Sequence, residues 1–512
     1  MQSRKRETSW KLSYLLAICL RLTIVLTSTS FIHPDEHFQN TEIAIDDVFN
    51  RSNRQTRTWE WDPLRISDRT IGGGPVRSIV PVWMTSHLGL HVLKLLHNIG
   101  MIDISTRSLV IFPRLVLFFL SLFVDRLIFR LVHSPSIQLL HAFSLHSLLF
   151  ICRTFSNSLE SILFTSLFLL SLSISNLKNR ASLSSVIVWT LMNVFTVWVR
   201  VSYVCFAFPI VLMVGYTRLS RSFTLFFTAG ATGLLGMMFL ILLDCLYFGR
   251  WPTVTPIGLL LYNLDKQNLA QHGTHPRYLH LLANGPIIFG PALWLTGWSQ
   301  LWTRHKVSPT IVKLSTASLI SGTLLLSIQP HQEARFLLPL VFPLTTLCSQ
   351  SISKSRSSKF RRTFWFAHLM HSAITVVLFG YLHQGGLQSA LEVLPPNTET
   401  LLSYKTFDIP SSLITSTQLR NVTNLRGATE ETLAKTLCEI VSMDEERRIV
   451  LLAPRWALSP SLEHRFKLLF SSAIPHLDLD RLDEIFHAGR HRSGIGLYSI
   501  NQQNMKASEL CH

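Results

Sequence analysis

"FTLFFTAGATGLLGMMFLILLDCLYF" fills positions 223–248, and Asp244 is its one formal charge. A soluble core helix needs one apolar stripe. This run is apolar on all sides and long enough for the ~20 residues that cross a bilayer. Similar runs lie near 11–31, 108–131, 137–152, 158–177, 184–199, 201–217, 286–302, 309–328, 335–350 and 363–384. The chain has 512 residues, 48% hydrophobic and 15% charged, with mean hydropathy +0.31. It reads as an all-α multispan membrane protein with about 11 transmembrane helices. Arg4, Lys5 and Arg6 give the first run the basic start of a secretory signal. The following "TSTSFIHPDEH" is a poor small-residue cleavage site, so the run reads as a span.

Charge placement orients the chain, because Lys and Arg gather on cytoplasmic loops. The basic clusters are Arg4/Lys5/Arg6/Lys11, Lys178/Arg180, Arg218/Arg221, Arg304/Lys306 and "KSRSSKFRR" at 354–362. With these in the cytosol, 249–285, 329–334 and everything after 384 face the lumen. The segment 77–100 would break the alternation as a twelfth span. His87, His91, Lys94 and His97 give it one polar face at helical spacing, which suits a helix lying in the interface. The expected organisation is a membrane body, 1–384, and a lumenal module, 385–512. The first lumenal loop, with its interfacial helix, occupies 32–107. The N-terminus is cytosolic and the C-terminus lumenal.

The net charge of +17 does not point to nucleic acid. Residues 385–512 hold 13 Lys and Arg against 15 Asp and Glu, so the excess sits in the membrane part, beside lipid headgroups. No basic run is interleaved with aromatics. The seven cysteines lie at 19, 152, 205, 245, 348, 438 and 511, without metal-ligand spacing. Cys438 and Cys511 fall in the lumenal tail, as a bridge or as two thiols. Asn421-Val422-Thr423 is a glycosylation sequon on that side. In the tail, "RRIVLLAP" (447–454) and "GIGLYSI" (494–500) read as strands, and 428–442 and 479–488 as helices, a small α/β module. "DLD" at 478–480 looks like a charged helix start.

Of 15 acidic residues before 385, eight lie between 32 and 68: Asp35, Glu36, Glu42, Asp46, Asp47, Glu60, Asp62 and Asp68. One reading is an acidic face in water. The other is a polar site beside the bilayer, where a lipid-borne substrate arrives. In "HPDEH", Pro34 stiffens the entry to the acids, and His33 and His37 flank them. Two other lumenal segments are polar where a spacer need not be. Residues 261–291 hold His272, His275, Arg277, Tyr278 and His280; "QPHQEARFLLPL" (329–340) holds His331, Glu333 and Arg335. Arg, His and Tyr donate to phosphate oxygens. Arg335 is otherwise a headgroup anchor, and Glu333 its local partner.

"HPDEHFQ", "TWEWDPLRISDRTIGGGPVRSIVPVW" and "PHQEARFLLPL" together resemble the dolichol-phosphate-mannose-dependent mannosyltransferases, glycosyltransferase family 22. The resemblance runs over roughly residues 10–385. Segment 255–291 is most similar to the branch that adds the fourth mannose to the glycosylphosphatidylinositol (GPI) precursor. Trp61 stands where many relatives have Phe, and "GGGPVRS" departs from the family's Pro-Cys-Arg-Ser form. The resemblance implies a GT-C-type fold in the endoplasmic reticulum membrane and dolichyl phosphate mannose as donor. It implies an α-1,2 linkage to the third mannose of a GPI-precursor glycolipid, formed with inversion. Inversion by direct displacement needs one base. Asp35 is the expected base, with Glu36 as its backup or orienting partner. Arg335, His331 and Arg277 are expected to bind the donor phosphate. His33, His37, Glu333, His275 and Tyr278 would orient the site or the acceptor. No cofactor and no obligatory metal are expected, because cationic side chains suffice for a lipid monophosphate. Two alternatives stand beside this: a sibling acting on another GPI position or the N-glycan precursor, and a lipid transporter or flippase. A translocator needs a polar path at mid-membrane, where Asp125, Arg200 and Asp244 are the main charges.

Overall fold

The computed structural model describes residues 2–50, 57–62, 74–176, 181–265, 268, 273–302, 309–415, 418–443, 448–488 and 493–500. Asp68, Lys178, Arg180, His272, Arg304, Lys306 and Cys511 lie outside the described residues. The chain divides into two compact units. The first takes in Met1–Val25, Arg57–Thr85 and Arg114–Ile374; the second takes in Leu26–Thr56, Ser86–Pro113 and Thr375–His512.

The first unit is a bundle of apolar helices. Among the described residues, seven helices are long and apolar enough to cross a membrane: Ser9–Thr27, Ser156–Ser175, Tyr203–Arg221, Phe223–Phe248, Thr310–Ile328, Ala334–Lys354 and Ser358–Leu382. The pair Pro135–Ala142 and Leu145–Cys152 adds a broken span, bent by 60°. The three remaining expected spans are helical too. Thr106–Val132 runs 27 residues but carries several charges, and Leu183–Val199 has 17 residues. The third breaks at Gly290, between Gly285–Phe289 and Pro291–Ser299. Gly290 has φ 82°, and a Cβ there would meet the His371 ring at 2.8 Å. The break therefore needs glycine.

Local chemistry sets the ends. Ser134, Ser144, Ser182 and Ser222 each cap a helix by accepting from a backbone N–H three residues on. Phe226, Phe227, Leu235 and Phe239 stay exposed on the Phe223–Phe248 helix, as lipid-facing side chains should. The charges inside the bundle are paired or hydrogen-bonded at these places. Arg21 reaches Asp125 at 2.9 Å and Ser121 at 2.8 Å, and His141 Nδ1 lies 3.5 Å from Asp125. Asp244 accepts from Ser78 Oγ at 2.8 Å, the Ile79 N–H at 3.1 Å and Thr255 Oγ1 at 3.1 Å. Asp125 and Asp244 thus tie segments together.

The second unit holds a five-stranded sheet of order β2-β1-β3-β5-β4. Its strands are β1 (Thr400–Ser403), β2 (Asn421–Asn424), β3 (Ile449–Pro454), β4 (Phe466–Ser471) and β5 (Ile495–Ile500). β1 pairs in parallel with β2 and β3, while β5 runs antiparallel to β3 and β4. The Glu430–Met443 helix lays Leu433, Leu437 and Val441 on a core with Leu402, Leu451 and Tyr498. The four- and four-residue spacing of those three is a helical stripe. Both expected strands are present. In the "DLD" stretch, Asp478 caps its own turn by accepting from the Asp480 N–H at 3.0 Å and pairs with Arg481 at 3.1 Å. Cys438 is disulfide-bonded, and the five cysteines from 19 to 348 are free.

From Ser86 on, the segment expected to lie in the interface belongs to the same unit. Leu88–Asn98 is a helix that buries Gly89, Leu90 and Leu93 and exposes Leu88, Val92 and Leu95. Its polar face is engaged: His87 Nε2 lies 3.2 Å from Asp47, and Lys94 Nζ donates to the Val48 carbonyl at 2.7 Å.

Candidate active site

The acid motif opens a helix in the second unit. After Pro34 the backbone turns at once: the N–H groups of His37 and Phe38 both donate to the Pro34 carbonyl. Asp35 and Glu36 form the first turn, a π-turn follows at His37–Thr41, and the α-helix continues over Glu42–Phe49. Carboxylates in a first helical turn sit at the favourable end of the backbone dipole. His33 Nδ1 accepts from the Asp35 N–H at 3.2 Å and stands 3.6 Å from Asp35 Oδ1.

The two adjacent acids differ in access. The Asp35 side chain is 28% exposed, whereas Glu36 is 0% exposed. Only Asp35 is open to an acceptor hydroxyl without rearrangement. His37 is buried, with its ring stacked 4.3 Å from Phe31. Further along, Glu42 is buried and accepts from Ser411 Oγ at 3.2 Å and from the backbone N–H groups of Ser411 and Ser412. Burial pushes its carboxyl up to about 7, against those hydrogen bonds. Asp46 is buried, and Asp47 holds His87.

The first unit carries a cationic cluster drawn from four stretches of chain. Glu333 shares its carboxylate between His331 Nε2, at 2.8 Å, and Arg335 Nε. Burial works against the His331 charge, but the bond and the charge of Glu333 outweigh it and raise the imidazole above its ordinary value. The Arg335 guanidinium lies 5.3 Å from the Phe155 ring and 5.9 Å from Phe336. Arg200 sits 5.3 Å from the same Phe336 ring. Arg200 also donates to Ser156 Oγ at 2.9 Å and pairs with Glu160 at 3.2 Å. Arg77 donates to Ser156 Oγ at 3.3 Å and to Glu60 at 2.9 and 3.0 Å.

Three guanidinium groups and three carboxyl groups meet in this cluster, and His331 adds a positive charge when protonated. Such a site has planar donors for phosphate oxygens.

Sequence reading found one corner of this cluster. His331, Glu333 and Arg335 come together, and Glu333 serves Arg335 and His331 at once. His275 joins them, its ring 5.8 Å from His331 and its Nδ1 accepting from the Gln332 N–H at 3.3 Å. Arg277 is engaged elsewhere, donating to the Ile328 carbonyl, and Tyr278 is exposed. Arg77, Ser156 and Glu160 were missed, Glu60 was noticed only among the eight acids near the first span, and Arg200 only as an interior charge. The available signal was an ionisable residue at a span end, as in "VWVRVSY". Among the described residues no three His, Cys, Asp or Glu side chains are grouped as a metal site.

The sequence matches the Alg9-like mannosyltransferase family over residues 12–415. The GPI mannosyltransferase 4 of Emericella nidulans is 32% identical over 410 residues, covering 77% of this chain and 71% of that protein. The human GPI alpha-1,2-mannosyltransferase 4 is 31% identical over 457 residues, covering 78% and 75%. The Candida albicans GPI mannosyltransferase 4 is 27% identical and covers 97% and 99%. Among solved structures, ArnT from Cupriavidus metallidurans bound to undecaprenyl phosphate superposes with a TM-score of 0.54 over 99% of both chains. At 10% identity that likeness is one of fold.

Proposed function

The chain belongs to the Alg9-like mannosyltransferase family, and from that premise we propose that it moves mannose from dolichyl phosphate mannose to the third mannose of a GPI precursor. It is a membrane-embedded mannosyltransferase of GPI-anchor synthesis with a GT-C-type fold, and the transporter reading falls away.

The acceptor hydroxyl attacks the anomeric carbon of a β-linked mannose. The bond from that carbon to the phosphate oxygen breaks, and the electron pair leaves with dolichyl phosphate. The new bond is α-1,2, with inversion. Asp35 takes the hydroxyl proton, as the acid that is both pre-oriented and accessible. The leaving phosphate gains charge as the bond breaks, so fixed donors are worth most there. Arg335, Arg200 and Arg77 supply them, with His331 on the Glu333 side. Arg200 and Arg77 meet on Ser156 Oγ, and Arg200 and Arg335 on the Phe336 ring, so three guanidinium groups converge; that convergence carries the reading.

An apolar crevice of about 380 Å³, lined by Trp189, Val197, Trp198, Tyr203 and Phe208 among others, supports a lipid donor. Trp198 and Tyr203 flank Arg200 in sequence, so hydrocarbon and phosphate have neighbouring places. With side-chain cations on the phosphate, a divalent metal is not required, and transfer in EDTA is expected to continue. The site faces the lumen of the endoplasmic reticulum, with the N-terminus in the cytosol.

Membranes carrying the enzyme are incubated with dolichyl phosphate mannose, tritiated in the sugar, and a GPI precursor bearing three mannoses. A labelled four-mannose product sensitive to α-1,2-mannosidase is expected. Label in an N-glycan precursor, or in an earlier GPI intermediate, would overturn the acceptor assignment.

A further inference from the structure

The C-terminal sheet and the acid-bearing helix share the second unit, and the loop that follows β1 reaches the helix. His33, whose ring holds the Asp35 backbone, packs 6.3 Å from the Phe407 ring. Nine residues on, the buried Glu42 carboxylate receives Ser411 Oγ and the backbone N–H groups of Ser411 and Ser412. Both contacts come from one stretch, 404–413, which leaves β1.

That stretch is itself fixed. Ser403 Oγ and the Ile409 N–H donate to Asn424 Oδ1, at the end of β2, at 2.7 and 3.0 Å. The Phe407 N–H donates to Gln384 Oε1 at 3.3 Å, and its ring meets His383 edge-on at 5.5 Å. Thr106 Oγ1 closes the far end on the Leu413 carbonyl at 2.9 Å.

From Asp35 to Glu42 the helix rises by roughly 10 Å. The far end of the helix is tied by Asp47 to His87 and by the Val48 carbonyl to Lys94, so Glu42 is a second point of hold, between that end and Asp35. The π-turn at His37–Thr41 makes the second point matter more, because an irregular turn between Asp35 and the regular helix weakens the register that the helix alone would impose.

We infer that Glu42 is a positioning residue, the peg by which the C-terminal module holds the Asp35 helix in its reactive placement. The module is therefore part of the catalytic apparatus and not a separable appendage. The inference rests on the reading of Asp35 as the base.

The test measures mannose transfer per molecule of full-length enzyme in membranes, with kcat and donor KM separated. A misplacement of about 1 Å at a reacting group costs roughly 10²-fold. Glu42→Ala should therefore lower kcat by about 10- to 100-fold, with donor KM within about twofold of wild type. Glu42→Gln, which keeps an oxygen for Ser411, should recover most of the loss. Phe407→Leu removes the ring from His33 at little cost in volume and should also lower kcat. Because turnover is counted per enzyme molecule, a low yield of any variant still gives a reading. Normal kcat in Glu42→Ala and Phe407→Leu overturns the inference. So does a loss in Glu42→Ala carried by donor KM. Asp35→Asn separates the two claims. If it is active while Glu42→Ala is slow, the base assignment fails and the peg stands. If it is slow while Glu42→Ala is normal, the peg falls and the base stands.

Discussion

Replacing Arg335 with lysine keeps the charge and removes the shape. The arginine plane lies against two aromatic rings, Phe155 at 5.3 Å and Phe336 at 5.9 Å, and its Nε is bound to Glu333. A cation over a ring contributes about 0.5–1 kcal/mol at an exposed site and more when desolvated, so for the buried Arg335 two rings give at least roughly 1–2 kcal/mol. A hydrogen bond to a charged group adds about 1.5–3 kcal/mol net, and lysine keeps some of it. Holding a flexible ammonium where the guanidinium now sits should cost about 3 kcal/mol, which is slightly over two powers of ten in rate. Arg335→Lys is expected to reach normal abundance and to transfer mannose about 10²-fold more slowly, measured as initial rate per enzyme molecule with saturating acceptor. A rate within about threefold of wild type would refute the reasoning, because a headgroup anchor requires only charge.

Asp35→Asn should lower transfer by roughly 10²-fold or more at unchanged membrane abundance, the scale of a lost general base. Glu36→Gln should act first on abundance, since Glu36 is fully buried, and a dead but abundant Glu36→Gln beside an active Asp35→Asn would move the base by one residue. Glu333 raises His331, so the protonated form, and the activity that depends on it, is present at lower pH and lost as pH rises through the folded value. Glu333→Gln should shift that alkaline fall to lower pH; an unmoved limb in the kcat/KM profile would separate His331 from phosphate binding. Protease treatment of sealed microsomes should spare a tag after His512 and digest one before Met1. Asn421→Gln should remove one endoglycosidase-sensitive mobility shift, because Asn421 is exposed at the start of β2, which is an edge strand.

Much of the fold was legible because a bilayer is a demanding solvent. It asks for ~20 apolar residues per crossing and leaves that requirement in the sequence. Every expected span therefore falls on a helix, including the one broken at Gly290. The two tail strands were legible for a related reason: a fully buried strand such as Ile449–Pro454 is a short continuous apolar run. "PHQEAR" was legible as a site because His331, Glu333 and Arg335 are close along the chain as well as in space.

The rest needed the fold. Arg77, Ser156, Arg200 and Arg335 lie tens to hundreds of residues apart, and only the packing of their helices sets two arginines on one serine oxygen and two on one phenylalanine ring. Arg277 has the same chemistry in a promising segment, yet it is engaged with a backbone carbonyl. The choice between Asp35 and Glu36 is of the same kind. Adjacent residues on a helix point about 100° apart, so one neighbour is exposed and the other sealed. By itself the sequence determined that this chain lives in a membrane, carries acids beside its first span and resembles mannosyltransferases. Which acid is accessible, and which cations share a site, was decided by tertiary packing, because access and convergence are properties of surfaces that a linear pattern does not contain.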